Sequence, residues 1–170
     1  MYLNRHNAVL NVLAAKIWPA CRRNAIDLAV DLPRSGGGRR RQSSSTTMKT
    51  VAEMFQDVIP IKTRQRPDMI LYDPHARSIT VAELTCCRPG KGDYWAKEKR
   101  YKYADMIRAI RKETGSTTSL WTIEIDSDGK NAHGLRPFLL GPVRVRDADV
   151  LAEIEASCMR EVLRHRDADF

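Results

Sequence analysis

Apolar residues recur along this chain with two different periods. Leu3, Val9, Leu10, Val12, Leu13 and Ile17 fall at helical spacing and predict an amphipathic helix that stops at Pro19. From Ala25 to Leu32 the period drops to two: Ile26, Leu28 and Val30 alternate with Asp27 and Asp31, which predicts a strand ended by Pro33. Met69 to Tyr72 and Ile79 to Leu84 are two further strands, and the Asp73-Pro74 turn between them predicts a hairpin. A charged helix follows from about Tyr94 to Lys112, carrying Tyr101, Met106, Ile107 and Ile110, and Gly115 punctuates it. Leu120 to Ile125 is another strand, with a polar turn at Asp126 to Lys130. Asp147 to His165 is the last helix, with Val150, Leu151, Ile154, Cys158, Val162 and Leu163 on one side.

Two stretches carry weaker patterns. Met48 to Val58 reads as a weak helix or an irregular connector. Residues 35–47 are Gly, Arg, Ser and Thr with almost nothing to bury, so they predict a mobile loop. The order is therefore α-β-β-β-α-β-α: an α/β fold with a small mixed sheet covered by helices, in a single domain spanning residues 1–170.

Composition narrows the partners. Twenty-nine Lys and Arg against twenty-one Asp and Glu leave a formal charge of +8, which favours a polyanion, because cations that neutralise phosphates release condensed counterions. Arg39, Arg40 and Arg41 are candidate phosphate contacts within the polar loop, or a localisation signal. The four cysteines, Cys21, Cys86, Cys87 and Cys158, form no CxxC and no zinc spacing, so free thiols are expected. The first eighteen residues lack the apolar block of a signal peptide, and no run reaches the length of a membrane span. A soluble, intracellular protein without a membrane partner is the expectation.

The hairpin supplies the chemistry. If Tyr72 pairs with Ile79, then Ile70 pairs with Val81 and Asp68 lies opposite Glu83, on the same sheet face, with Cβ atoms roughly 5 Å apart. Two carboxylates side by side repel unless something neutralises them, and Ile70 and Val81 make their surroundings drier. A hard divalent cation, magnesium or manganese, answers that need and would polarise a phosphate and acidify an attacking water. Other constellations are poorer. Ser43-Ser44-Ser45 with four scattered histidines defines no triad, and Asp126, Asp128 and Gly129 lack the later glutamate of a calcium loop. Trp121, in an alternating strand, belongs to the core, whereas Tyr94 and Trp95, before a basic helix, are candidates to stack on bases.

Pro67-Asp68 followed by Glu83-x-Thr85 resembles the core signature of the PD-(D/E)xK nucleases. More narrowly it is similar to the restriction-like endonuclease domain of site-specific non-LTR retrotransposons, a relative of archaeal Holliday-junction resolvases. The likeness extends to Arg5-His6-Asn7 at the first helix, Arg66-Pro67-Asp68-Met69-Ile70-Leu71, Val81-Ala82-Glu83-Leu84-Thr85, Glu98-Lys99-x-x-Lys102-Tyr103 and the Ser157-Cys158 region, about residues 4 to 166. The resemblance implies a restriction endonuclease-like core and hydrolysis of DNA phosphodiester bonds. Asp68, Glu83 and the Leu84 carbonyl would hold the metal, Lys99 would serve catalysis and Tyr103 would support it. Arg5, His6, Asn7, Arg66, Lys97 and Lys102 are the matching candidates for nucleic-acid contact.

Two departures stand out. The superfamily usually has a lysine two residues after the glutamate, where this chain has Thr85; Lys99 matches the position to which the retrotransposon branch moves it, with Tyr103 at i+4 on the same helical face. Lys97 lies about 200° around the helix from Lys99 and cannot share its direction. The early helix also lacks the carboxylate that the family often places there, and Asn7 is the residue available instead. The implied function is target-site nicking of double-stranded or branched DNA, with a reverse transcriptase domain supplied in trans and a nuclear location in a eukaryotic retroelement. A catalytically degenerate nucleic-acid-binding module is the first alternative. A junction resolvase, which would need a homodimer, is the second.

Overall fold

The structure, a computed structural model, describes residues 2–32 and 48–166. The Arg39-Arg40-Arg41 triplet and the expected 35–47 loop lie outside the described residues. Helix α1 (Tyr2–Arg23) leads into β1 (Asp27–Val30); then come β2 (Lys49–Thr50), α2 (Val51–Asp57), the hairpin β3 (Met69–Asp73) and β4 (Ser78–Cys87), α3 (Gly92–Thr114), β5 (Thr117–Asp126), β6 (Ala132–His133), α4 (Leu135–Leu140) and α5 (Ala148–Arg164). The strands form one open, mixed sheet in the order β2-β1-β3-β4-β5-β6. β4 and β5 run parallel because α3 carries the chain back between them, while β3 is antiparallel to both β1 and β4.

The period-two rule explains the two cores. On one face Met69, Leu71, Ala82, Leu84, Ile123 and Ile125 pack against α1, α4 and α5; on the other Ala29, Ile70, Ile79 and Val81 pack against α2 and α3. Burying each of these larger side chains contributes roughly 1.5–3 kcal/mol, so β3 and β4, apolar on both faces, form the stable middle of the molecule. The expected register is observed: Tyr72 faces Ile79 and Ile70 faces Val81. At the hairpin turn, Asp73 accepts from the His75 and Ala76 amides and pairs with Arg144. Burial works against its charge, but the Ala76 amide, Arg144 and the His75 amide outweigh that and hold its carboxyl below the usual range.

Several expectations need correcting. α1 does not stop at Pro19 but runs one more turn to Arg23. Proline removes one hydrogen bond, yet the turn that follows buries Ala20 and Cys21 and is tied by the Asn24 side chain to the Ala20 carbonyl at 2.9 Å. Of the two readings for Met48 to Val58, the helix is the one observed: α2 is nucleated by a reciprocal capping box between Thr50 and Glu53. Val150 and Leu163 are exposed, and the inward stripe of α5 is Leu151, Ile154, Ser157, Cys158 and Val162. β2, β6 and α4 are additions to the expected order. Trp121 is half-buried, its ring 6.4 Å from Phe138 at the edge of the core. No helix among the described residues is long and apolar enough to cross a membrane.

Candidate active site

The site forms where β3 gives out beside a longer β4. β3 begins at Met69, so Asp68 sits just past the last ladder pair, Met69 with Ala82, and its side chain closes the gap. The Asp68 amide donates to Glu83 Oε1 at 3.1 Å, and the Leu84 amide donates to Asp68 Oδ2 at 2.7 Å. Each acid is thus fixed by the other strand's backbone, and their separation is set by the sheet. A residue's N–H and C=O point the same way in a strand, so the Leu84 carbonyl is aimed to the Asp68 side as well. Glu83 is 2% exposed, which makes its charge expensive.

Helix α3 supplies the counter-charge. Its first turn docks closely because residue 92 is glycine: a Cβ there would lie 3.2 Å from His133 Cδ2 and 3.4 Å from Glu124 Cβ. Two turns on, the Lys99 ammonium pairs with Glu83 Oε2. Tyr103, one turn further on the same face, is fully buried, and its hydroxyl donates to the Arg66 carbonyl at 3.3 Å. Burial pushes the Tyr103 phenol far up, and the charges of Glu83, Asp68 and Asp31 add to that, so it acts as a donor and never as a base. Burial and then the Asp68 charge likewise hold Glu83 above the ordinary carboxylate range, with Lys99 and Tyr103 pulling back. Lys97 and Lys102 point outward, Lys102 with its ammonium 4.7 Å from the centre of the Tyr103 ring.

Helix α1 approaches from the other layer. His6 Nε2 lies 3.1 Å from Asp68 Oδ2, and His6 Nδ1 lies 3.3 Å from Asn7 Oδ1. With a carboxylate oxygen at one ring nitrogen and an amide oxygen at the other, both contacts favour the doubly protonated imidazolium over the neutral ring. Burial opposes that charge, but the hydrogen bond and charge of Asp68, helped by Asn7, raise the pKa of His6 above 6.5. Its stabilising contribution is therefore full below pH 6.5 and is lost as pH rises through the folded-state value. An NMR titration of the imidazole should give a midpoint above 6.5 that falls in Asp68→Asn; a midpoint at or below 6.5 in the unaltered protein would break this picture.

Other residues fall into place around this core. Arg5 is buried, and its guanidinium donates to the His165 carbonyl at 3.3 Å. Arg66 is exposed and lies 3.9 Å from Asp31. Asp31 is a third carboxylate that the sequence pattern did not assign: its amide donates to the Asp68 carbonyl at 2.8 Å. Burial raises its pKa, Arg66 opposes that, and Asp68 adds to it. Its only signal was its place directly after β1. Glu124 was missed too. It shares a strand face with Thr122 and Asp126, alternating with Ile123 and Ile125 as a solvent face would, yet it is buried beside its register partner Thr85. Among the described residues, neither Thr85 Oγ1 nor Glu124 Oε1 has a hydrogen-bond partner. The cysteines are free and buried, with Cys21, Cys86 and Cys158 pushed up by burial to about 12 and Cys87 to about 11, so none is a thiolate at neutral pH.

Asp68, Glu83 and the Leu84 carbonyl are the oxygen donors here that could face a hard cation. Among the described residues no group of three or more His, Cys, Asp or Glu side chains is placed to hold a metal. Two acids are held side by side, with a lysine against one and a histidine against the other. No protein-family model matches the chain, and no curated protein sequence matches it either.

Proposed function

We propose that the chain is a metal-assisted endonuclease with a restriction-like core, hydrolysing phosphodiester bonds in DNA. The observation that carries this reading is the reciprocal brace between Asp68 and Glu83 at the end of the β3–β4 hairpin, with Lys99 on the buried glutamate. An arrangement that fixes two like charges together lowers stability and is retained where a site uses them. Asp68, Glu83 and the Leu84 carbonyl would hold magnesium or manganese. When bound, the ion would neutralise the paired acids and acidify a water near the scissile phosphate. Lys99, paired with Glu83 in this structure, would hold the negative charge that develops on the phosphate. Tyr103 is a positioning residue: its hydroxyl fixes the Arg66 carbonyl, and so the backbone that leads into Asp68. Arg66, Lys97 and Lys102, outward-facing cations around the site, are suited to the DNA backbone.

The test is incubation of the purified protein with supercoiled plasmid and magnesium or manganese, beside Asp68→Ala and Glu83→Ala. Nicked or linear product from the unaltered chain, lost in both variants and in EDTA, is the expected result. Product that persists in both variants would remove the assignment. One observation favours a second reading, a nucleic-acid-binding module without catalysis: His6 already pairs with Asp68, and α1 has no acidic residue in its first turn. That module would bind DNA in a salt-sensitive manner and leave the plasmid intact.

A further inference from the structure

A cavity of about 450 Å³ opens at the far end of β4, beyond the candidate active site, and neither acid lines it. Its floor is Cys86 and Cys87, its back wall is the Arg5 side chain, and its rim is Arg88, Lys91, Tyr94 and Trp95. Two chemistries meet there. Three cations line it and, among the described residues, no carboxylate does. Two aromatic rings stand exposed at its mouth, Tyr94 at 56% and Trp95 at 40%, packed edge to face with centroids 5.2 Å apart. Cations alone would fit any polyanion, and rings alone any apolar ligand. Together they match a base to stack upon a ring and a phosphate to neutralise. The volume lies within the range of small-ligand sites and is far too small for a duplex.

Helical geometry ties the cavity to the site. Lys91 caps the start of α3, and Trp95 and Lys99 follow at i+4 and i+8, so Trp95 and Lys99 share one side of the helix and Trp95 precedes the Glu83-paired lysine by about 6 Å along the axis. Arg5 adjoins His6 on α1, and Cys86 lies three residues past Glu83 on β4. We propose that this cavity takes a single unstacked nucleotide, its base against Trp95 and its phosphate against Arg88 and Lys91. In a polymer this would be a nucleotide close to the scissile phosphate, and the protein would then select DNA with an unpaired residue beside the cut. The inference rests on the nucleic-acid reading above but not on catalysis.

The experiment is equilibrium binding in EDTA, where no cleavage takes place, with labelled duplexes identical except for one bulged nucleotide. The unaltered chain should prefer the bulged duplex by about tenfold. Trp95→Ala should erase the preference while leaving affinity for the paired duplex unchanged, and Trp95→Phe should restore it. Trp95 is exposed, and a thermal melt of each variant checks its fold. In a parallel arm, dAMP should quench the tryptophan fluorescence of the unaltered chain and not that of Trp95→Ala. Quenching by dAMP without bulge preference would keep the nucleotide site and assign it to free nucleotides. Equal affinity for both duplexes together with no dAMP quenching would overturn the proposal, as would a Trp95→Ala variant weakened equally on both. Bulge preference in a protein that never cuts the plasmid would retain the pocket and remove the nuclease, whereas cutting without preference or quenching would do the reverse.

Discussion

Glu83→Gln should abolish magnesium-dependent cleavage, by about 10³-fold or more, and should make the protein more stable. The two effects share one cause. Burial and the Asp68 charge hold the Glu83 carboxyl above its ordinary range, so the folded state binds that proton more tightly than the unfolded chain does. An acid shifted upward stabilises the fold only while protonated; above its folded-state pKa, its ionisation has cost stability. Glutamine keeps the shape and the acceptor for the Asp68 amide and removes the charge. Lys99 loses its partner, but its side chain is 22% exposed and its ammonium is able to turn toward water. A gain of about 2–4 °C in Tm is expected for a relief on the order of 1 kcal/mol in a chain of this length. Thermal melts at pH 7 beside single-turnover cleavage check both halves. A variant that still cuts within a few-fold of the original, or that melts well below it, would contradict the account.

Lys99→Ala carries the second large effect. Lys99 alone among the α3 lysines named above meets a carboxylate of the site, so its removal should lower the cleavage rate by about 10²–10³-fold while leaving DNA affinity in EDTA nearly unchanged. Lys97→Ala and Lys102→Ala should behave in the opposite way. Each should weaken binding uniformly across sequences and reduce the slope of log affinity against log salt by about 0.9, with the bound complex cleaved at the original rate. The contrast turns on direction around the helix, since all three residues lie within six positions. A Lys97 variant as inactive as the Lys99 one would mean that α3 meets its substrate with a different face.

The hairpin was legible because its information is local. A turn of Asp73 and Pro74 and two short alternating runs determine which residues face each other, and the pairing of Tyr72 with Ile79 carries Asp68 to Glu83 without knowledge of the rest. The neighbours that complete the site come from far along the chain. The position of β1 beside β3, which brings Asp31 to Asp68, depends on an antiparallel pairing across about forty residues that no periodicity encodes. His6 reads as the start of a helix, and nothing in its surroundings names the acid sixty-two positions away that it meets. Glu124 was obscured for a different reason. Alternation marks the face of a strand that differs from its neighbour, and here both faces are covered, so polar residues under α3 carry the pattern of a wetted surface. β6 and α4 are too short to set up a period, and Pro137 interrupts the second of them.

Among the described residues the sheet ends in two-residue strands on both sides, Lys49–Thr50 and Ala132–His133. β6 covers only Glu124 and Ile125 of β5, so from Thr117 to Ile123 that ten-residue strand has, among the same residues, no strand on its outer side. A strand from another molecule that joined there would continue the hydrogen-bonded ladder. In two copies meeting along that edge, the separation of the Asp68–Glu83 pairs would be fixed by strand register.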